Sequence, residues 1–392
     1  MRKLFIALIL SFFMAASCHA KALTITATIF PVYDWVREIT KGTDANIKLL
    51  LDNGVDLHSY NPSVDDIVRI STCDVFIYVG GESYEWVKDA LKNVTNKNQI
   101  VINLLDVMGD AVKEEEITEG MQHEHEHEHE QLEHEHEYEQ HEHHEHEQRE
   151  HEYEHGHKDE HHEQHEQGNE QHEHEYEQHE PKLEHEREYN EHGHEDEQQE
   201  HHHEHVQHEH EHESESDEHV WLSLRNAEII CIYISDKLSE IDPEHKEIYA
   251  LNTSAYIERL SELDRKYHDV IDSSSGKILL FADRFPFRYM TDDYGLKYYA
   301  AFSGCSAESE ASFETVKFLA EKTDEFNLPC VITIDGTKHK IAETVIANTK
   351  MKNQKILVLD SMQSATLNDI KNGTSYISVM ENNLEVLKAA LN

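Results

Sequence analysis

Leu23-Thr-Ile-Thr-Ala-Thr-Ile-Phe30 ends at Pro31, and Val32-Tyr-Asp-Trp-Val-Arg-Glu-Ile-Thr40 runs from there to Gly42. The first stretch is apolar and β-branched, which predicts a strand over 23–30. The second carries apolar residues at helical spacing and is stopped by glycine, which predicts a helix over 32–40. The same pairing recurs downstream. A strand is expected over 47–51, closed by Asp52-Asn-Gly54. Pro62 opens a helix with Val64, Ile67, Val68 and Ile70 on one face. A strand over 75–79, a helix over 83–92 and a strand over 100–104 follow. Strands that alternate with helices form parallel βαβ units whose sheet is buried on both faces.

The alternation stops in the middle of the chain and then resumes. Residues 220–238 read as a helix with Trp221, Leu224, Ile230 and Ile234 apolar. Asp242 and Pro243 form an N-cap and first-turn pair for another helix that meets no breaker before about Ile271, long enough to connect two lobes rigidly. Strands are expected over 277–281, 297–302, 329–334 and 355–359, with a last helix from Ser375. The expected fold class is α/β: two βα lobes with parallel sheets, joined by a long rigid helix, with a disordered His/Glu-rich insertion. In this reading residues 1–20 are a signal peptide and 21–113 the N-terminal α/β lobe. Residues 114–218 are the His/Glu-rich loop, 219–241 complete the N-terminal lobe, 242–275 form the connecting helix, and 276–392 form the C-terminal α/β lobe.

The 392 residues carry a formal charge of −47, which excludes a nucleic-acid reader with a basic footprint. The charge is local. Residues 114–218 hold 42 of the 81 acidic residues but only four of the 34 bases, so the remainder is mildly acidic. Residues 121–219 hold 30 of the 35 histidines, and almost every other position there is Glu or Gln. Such a stretch cannot bury enough apolar surface to offset chain entropy, hence the expectation of disorder. Its chemistry is metal capture, because imidazole and carboxylate together suit late first-row divalent ions and a solvated acidic spacer would need no histidine. His123, His125, His127, His129, His201, His202, His203 and His205 are representative accessory ligands.

The N-terminus reads as an export signal: Arg2 and Lys3, then an apolar run over 4–14, then small residues through Ala20. Cleavage after Ala20 would release the chain, whereas cleavage before Cys18 would leave a lipid anchor on that cysteine. The expected strand starts so close to Cys18 that simple export to the periplasm is favoured over anchoring on the outer face of the cytoplasmic membrane. No later stretch is long enough for a membrane span. Cys73, Cys231, Cys305 and Cys330 leave a disulfide open.

Outside the tract, two histidines stand where chemistry is expected. His58 lies just past the carboxyl end of an expected strand, the edge where open α/β sheets bind ligands. His219 closes the tract at the start of an apolar helix. On spacing alone, each reads more simply as a surface or capping residue. His245, His268 and His339 sit in polar helical stretches and read as solvent-facing.

Four motifs change that weighting: Thr28-Ile-Phe-Pro-Val-Tyr-Asp34, His58-Ser-Tyr-Asn-Pro62, His219-Val-Trp-Leu-Ser223 and Tyr294-Gly-Leu296. In this order the chain resembles the zinc and manganese solute-binding proteins of ABC importers, over essentially all of 23–392. The resemblance implies two lobes joined by a long helix that limits hinge closure, and metal ligation by His58 and His219. The third ligand of that family, commonly His, would fall ungapped on Arg284, whose guanidinium cannot ligate. The neighbouring Asp283 is the substitute, with an ion pair to Arg284 or Arg288 as its alternative role. The fourth position, Glu or Asp, matches Asp335, with a turn or helix cap as the alternative. Cys305, in Ser303-Gly-Cys-Ser306, is an accessory donor if it is not in a disulfide.

The expected function is therefore an exported, monomeric solute-binding protein that captures Zn2+, with Mn2+ as the alternative cargo, and delivers it to an ABC permease. A metal store without a transporter is the rival from another class. An enzyme is not expected: the chain has no His-Glu-x-x-His helix, nucleophile elbow or glycine-rich phosphate loop.

Overall fold

The computed structural model describes residues 22–122, 215–306 and 310–392. Residues 123–214 of the tract expected to be disordered, with its eight accessory histidines, and the expected signal segment with Cys18 lie outside them.

Two four-stranded parallel sheets carry the fold. The first contains β1 (Thr24–Ala27), β2 (Asn46–Leu49), β3 (Val75–Tyr78) and β4 (Ile100–Asn103) in the spatial order β2-β1-β3-β4. The second contains β5 (Ile278–Phe285), β6 (Lys297–Ser303), β7 (Cys330–Ile334) and β8 (Lys355–Leu359) in the order β6-β5-β7-β8. In each sheet the chain steps from its first strand to one side and then crosses to the other, so the switch points lie between β1 and β3 and between β5 and β7, at the carboxyl ends where ligands bind in such folds. The two-lobed α/β reading holds, with strand ends differing by up to four residues.

Local chemistry explains the starts of the helices. Pro31 occupies the first turn of Phe30–Ile39, where a missing N–H costs nothing. Ser63 and Asp66 form a reciprocal capping box for Val64–Thr72, so that helix starts just beyond Pro62. The long helix starts later than the Asp242-Pro243 signal suggests, spanning Lys246–Ser273, 28 residues. Asp242 does not cap it with its side chain. Its carboxylate instead accepts from the Tyr249 hydroxyl at 2.6 Å and lies 2.7 Å from His245 Nδ1. At 1.5 Å per residue the helix is about 42 Å long.

One apolar core runs continuously from the first sheet to the last helix, Tyr376–Leu391, and a smaller cluster lies within the second lobe. Polar bonds reinforce the contact between lobes. The Tyr376 backbone N–H donates to Asp34 at 2.8 Å, the Tyr376 hydroxyl donates to Trp221 O at 2.7 Å, and Trp221 Nε1 donates to Ser361 O at 2.9 Å. All four side chains are buried. Buried hydrogen bonds of this kind cost most when one partner is removed, which holds the lobes in one arrangement.

The edges of the acidic segment belong to the fold. Glu115 N donates to Glu215 O at 2.7 Å and Asp217 N donates to Lys113 O at 2.8 Å, while Met121, Gln122, Asp217 and Glu218 are buried. The four described cysteines are free thiols. His245, His268 and His339 are half-buried, and ring nitrogens of these residues contact Asp242, Arg225 and Thr333 respectively. Among the described residues no helix is long and apolar enough to cross a membrane.

Candidate metal centre

His58 sits in a single 3₁₀ turn, Leu57–Ser59, in the connection after β2. Asp56 caps that turn: its carboxylate accepts the His58 backbone N–H at 3.0 Å and pairs with Arg284 of the second lobe at 2.5 Å. Arg284 therefore spans the cleft and fixes the loop that carries His58. The His58 ring lies with Nδ1 2.7 Å from the Ser83 hydroxyl, which directs Nε2 into the cleft.

His219 stands just ahead of the turn Val220–Leu222, and its ring is fully buried. Asp217 accepts both its backbone N–H at 2.8 Å and, at 2.9 Å, its Nδ1. A carboxylate behind one ring nitrogen fixes the tautomer and makes the other nitrogen a better donor. That other nitrogen, Nε2, stands 3.4 Å from Nε2 of His58. Two imidazole nitrogens bound to one tetrahedral zinc at about 2.0–2.1 Å stand roughly 3.3 Å apart.

Cys305 completes the group: one donor atom from each of His58, His219 and Cys305 lies within 4.8 Å of the others. Its loop follows β6 and is held by Glu115, which accepts the Cys305 backbone N–H at 2.7 Å. Gly304 permits this approach. A Cβ there would meet Phe285 O at 2.9 Å and the His219 ring at 3.0 Å.

The surroundings are acidic. Glu218 is buried, and its Oε1 accepts the Ser83 N–H at 2.8 Å. Gly81 makes room for that side chain, since a Cβ would lie 2.3 Å from Oε1. Glu218 Oε2 has no hydrogen-bond partner among the described residues and lies 3.9 Å from His58 Nδ1. Burial pushes the Glu218 carboxyl up to about 7. Burial and then the His219 ring pull His58 down to about 3, so its imidazole is neutral and able to ligate at pH 7. Burial also works against a charged His219, but Asp217 outweighs it and the shift is upward. The Cys305 thiol is pushed up by burial and by Glu115.

Neither C-lobe carboxylate named from the sequence belongs to this donor group. Asp283 is buried in β5, where its oxygens accept the backbone N–H groups of Arg284 at 2.9 Å and Ile334 at 3.3 Å. Asp335, just past β7, accepts from Ser361 N at 2.6 Å, Ser361 Oγ at 2.7 Å and Ser364 N at 3.1 Å, as well as from Ser364 Oγ. Each oxygen of Asp335 is thus engaged in holding the 361–364 loop. Sequence reading also missed the carboxylates that face the histidines. Asp217 and Glu218 read as the tail of the tract, and the signal was the placement of Asp217 two residues before His219.

A family model described as zinc-uptake complex component A, periplasmic, matches residues 25–390. The chain is similar to the zinc-binding lipoprotein AdcA of Streptococcus pneumoniae, with 25% identity over 380 residues covering 96% of this chain and 58% of that protein. It therefore spans little more than half the length of that relative. It is also similar to the high-affinity zinc uptake system protein ZnuA of Bacillus subtilis, with 23% identity covering 96% of this chain and 90% of that one. In fold it matches the Zn(II)-bound ZnuA-like domain of S. pneumoniae AdcA, at a TM-score of 0.58, 23% identity and 94% and 99% coverage of the two chains. The metal-dependent lipoprotein YcdH of B. subtilis matches at a TM-score of 0.60, 20% identity and the same coverages.

Proposed function

The chain belongs to the family of the periplasmic zinc-uptake complex component A, and on that footing we propose that it captures zinc between its two lobes outside the cytoplasmic membrane and delivers it to an ABC permease. The observation that carries the proposal is the pair of Nε2 atoms at 3.4 Å, each backed through Nδ1 by a polar partner, Ser83 or Asp217. That is a separation one zinc ion spans without rearranging either ring. His58 and His219 are the two imidazole ligands. Asp283 and Asp335 hold the second-lobe walls of the cleft through their hydrogen bonds.

Capture is binding without catalysis, by a single chain that makes or breaks no bond in a substrate molecule. Buried carboxylates around the histidines balance the charge of a divalent cation, whose desolvation would otherwise oppose entry. The histidine tract supplies many weak sites that raise the local concentration of metal, an effect that weakens as salt rises. Release depends on small lobe shifts or on contact with the permease, because the buried bonds from Tyr376 and Trp221 oppose wide hinge opening.

Zinc titration of the full-length chain against a chelator of matched affinity tests this reading. One tight site per chain is expected, absent in His58→Ala and His219→Ala. An unchanged tight site in both variants would place capture elsewhere.

A further inference from the structure

We propose that Cys305 is the third zinc ligand, as a thiolate, and that this donor sets the preference of the cleft for zinc over manganese; the inference rests on the cleft reading above. Two features of the loop bring the sulfur there. The loop after β6 is pinned by the Glu115 carboxylate on the Cys305 N–H at 2.7 Å. Gly304 removes the side chain that would collide with the His219 ring and Phe285 O. The resulting position puts the sulfur within 4.8 Å of donor nitrogens of both histidines. Sulfur at about 2.3 Å and nitrogen at about 2.0–2.1 Å from a tetrahedral zinc lie roughly 3.6 Å apart, so a loop movement of an ångström or so closes the site.

Other residues near this edge of the second sheet are committed elsewhere. Arg284 cannot ligate and is paired with Asp56. Asp283 and Asp335 spend their oxygens on backbone and hydroxyl donors. Coordination exchanges the S–H bond of Cys305 for an S–Zn bond, and the proton leaves to water. A thiolate with two imidazoles suits zinc and cobalt(II), whereas manganese favours oxygen donors.

Cobalt(II) is the probe, because a thiolate–cobalt bond adds an intense near-ultraviolet charge-transfer band that imidazole and carboxylate ligands do not produce. In the reduced full-length chain, cobalt(II) is expected to raise that band to one equivalent per chain, and zinc is expected to abolish it. Cys305→Ser is expected to lack the band while the metal-free variant melts at the parental temperature. It is also expected to weaken the tight zinc site by at least about 100-fold, beyond what loss of a supporting hydrogen bond costs. Its zinc-over-manganese preference should narrow by at least about 10-fold. If the unaltered chain shows no thiolate band and the tight site is lost in His58→Ala but kept in Cys305→Ser, the thiolate ligand is refuted and the cleft stands. If both variants keep the tight site, the cleft reading itself fails and the thiolate ligand with it.

Discussion

The Nε2 atoms of His58 and His219 stand 3.4 Å apart in the cleft, although 161 positions separate the two residues in the chain. The ring of His58 is set by Ser83 and that of His219 by Asp217, so the pair is organised before metal arrives. Zinc soaked into crystals should therefore show its anomalous peak at about 2.0–2.1 Å from both nitrogens, with the rings moved by less than about 0.5 Å. A peak elsewhere, or rings turned away from one another, would contradict preorganisation.

Asp217 acts on the metal through His219. Asp217→Asn leaves a side chain of the same shape but removes the charge that fixes the ring tautomer. Zinc affinity is expected to fall by about 10- to 100-fold with the fold intact. Competition titration measures it, and an affinity within about twofold of the parent would show that the pair is only structural.

Arg284 and Asp56 form the ion pair that crosses the cleft beside His58. Both are partly exposed, so the pair is worth only on the order of 1 kcal/mol. Arg284→Gln and Asp56→Asn should each weaken zinc binding by up to about 10-fold, and the double variant should be no weaker than the worse single one. Additive losses in the double variant would mean the two residues act separately.

The pH dependence of folding should carry the signature of Asp34. Burial, opposed by Arg37, raises its carboxyl from 3.8 to about 6. Between those values the folded chain holds a proton that the unfolded chain has lost. The contribution of the neutral group is complete below pH 4 and disappears as pH rises through about 6. Relative to Asp34→Asn, the metal-free parent should lose on the order of 2–3 kcal/mol between pH 4 and pH 7. Urea unfolding across that range checks it, and parallel curves would refute it.

The fold was legible because its strands announce themselves. Val75, Phe76 and Ile77 of β3 are fully buried, as a continuous apolar run in a doubly covered sheet must be. Helix starts were less legible, since Asp242 turned out to serve His245 and Tyr249 rather than the first turn. At the site, His58 and His219 were named by resemblance, and the fold brings their rings together. The partners of Asp283 and Asp335 were not readable, because backbone N–H groups of distant segments claim them. Asp217 and Glu218 were hidden by composition: in a run of acids, two buried ones look like the rest. Cys305 was visible only as an accessory, since nothing local says that Gly304 allows its loop against His219.

In this reading the cleft holds the transported metal and the tract is accessory to it. Chelator-competition titration of the chain lacking residues 123–214 separates the two contributions. One zinc per chain, bound as tightly as by the full-length protein, is predicted, with the site lost on adding His58→Ala. Loss of tight binding on removing the tract alone, in a chain that still folds, would contradict it.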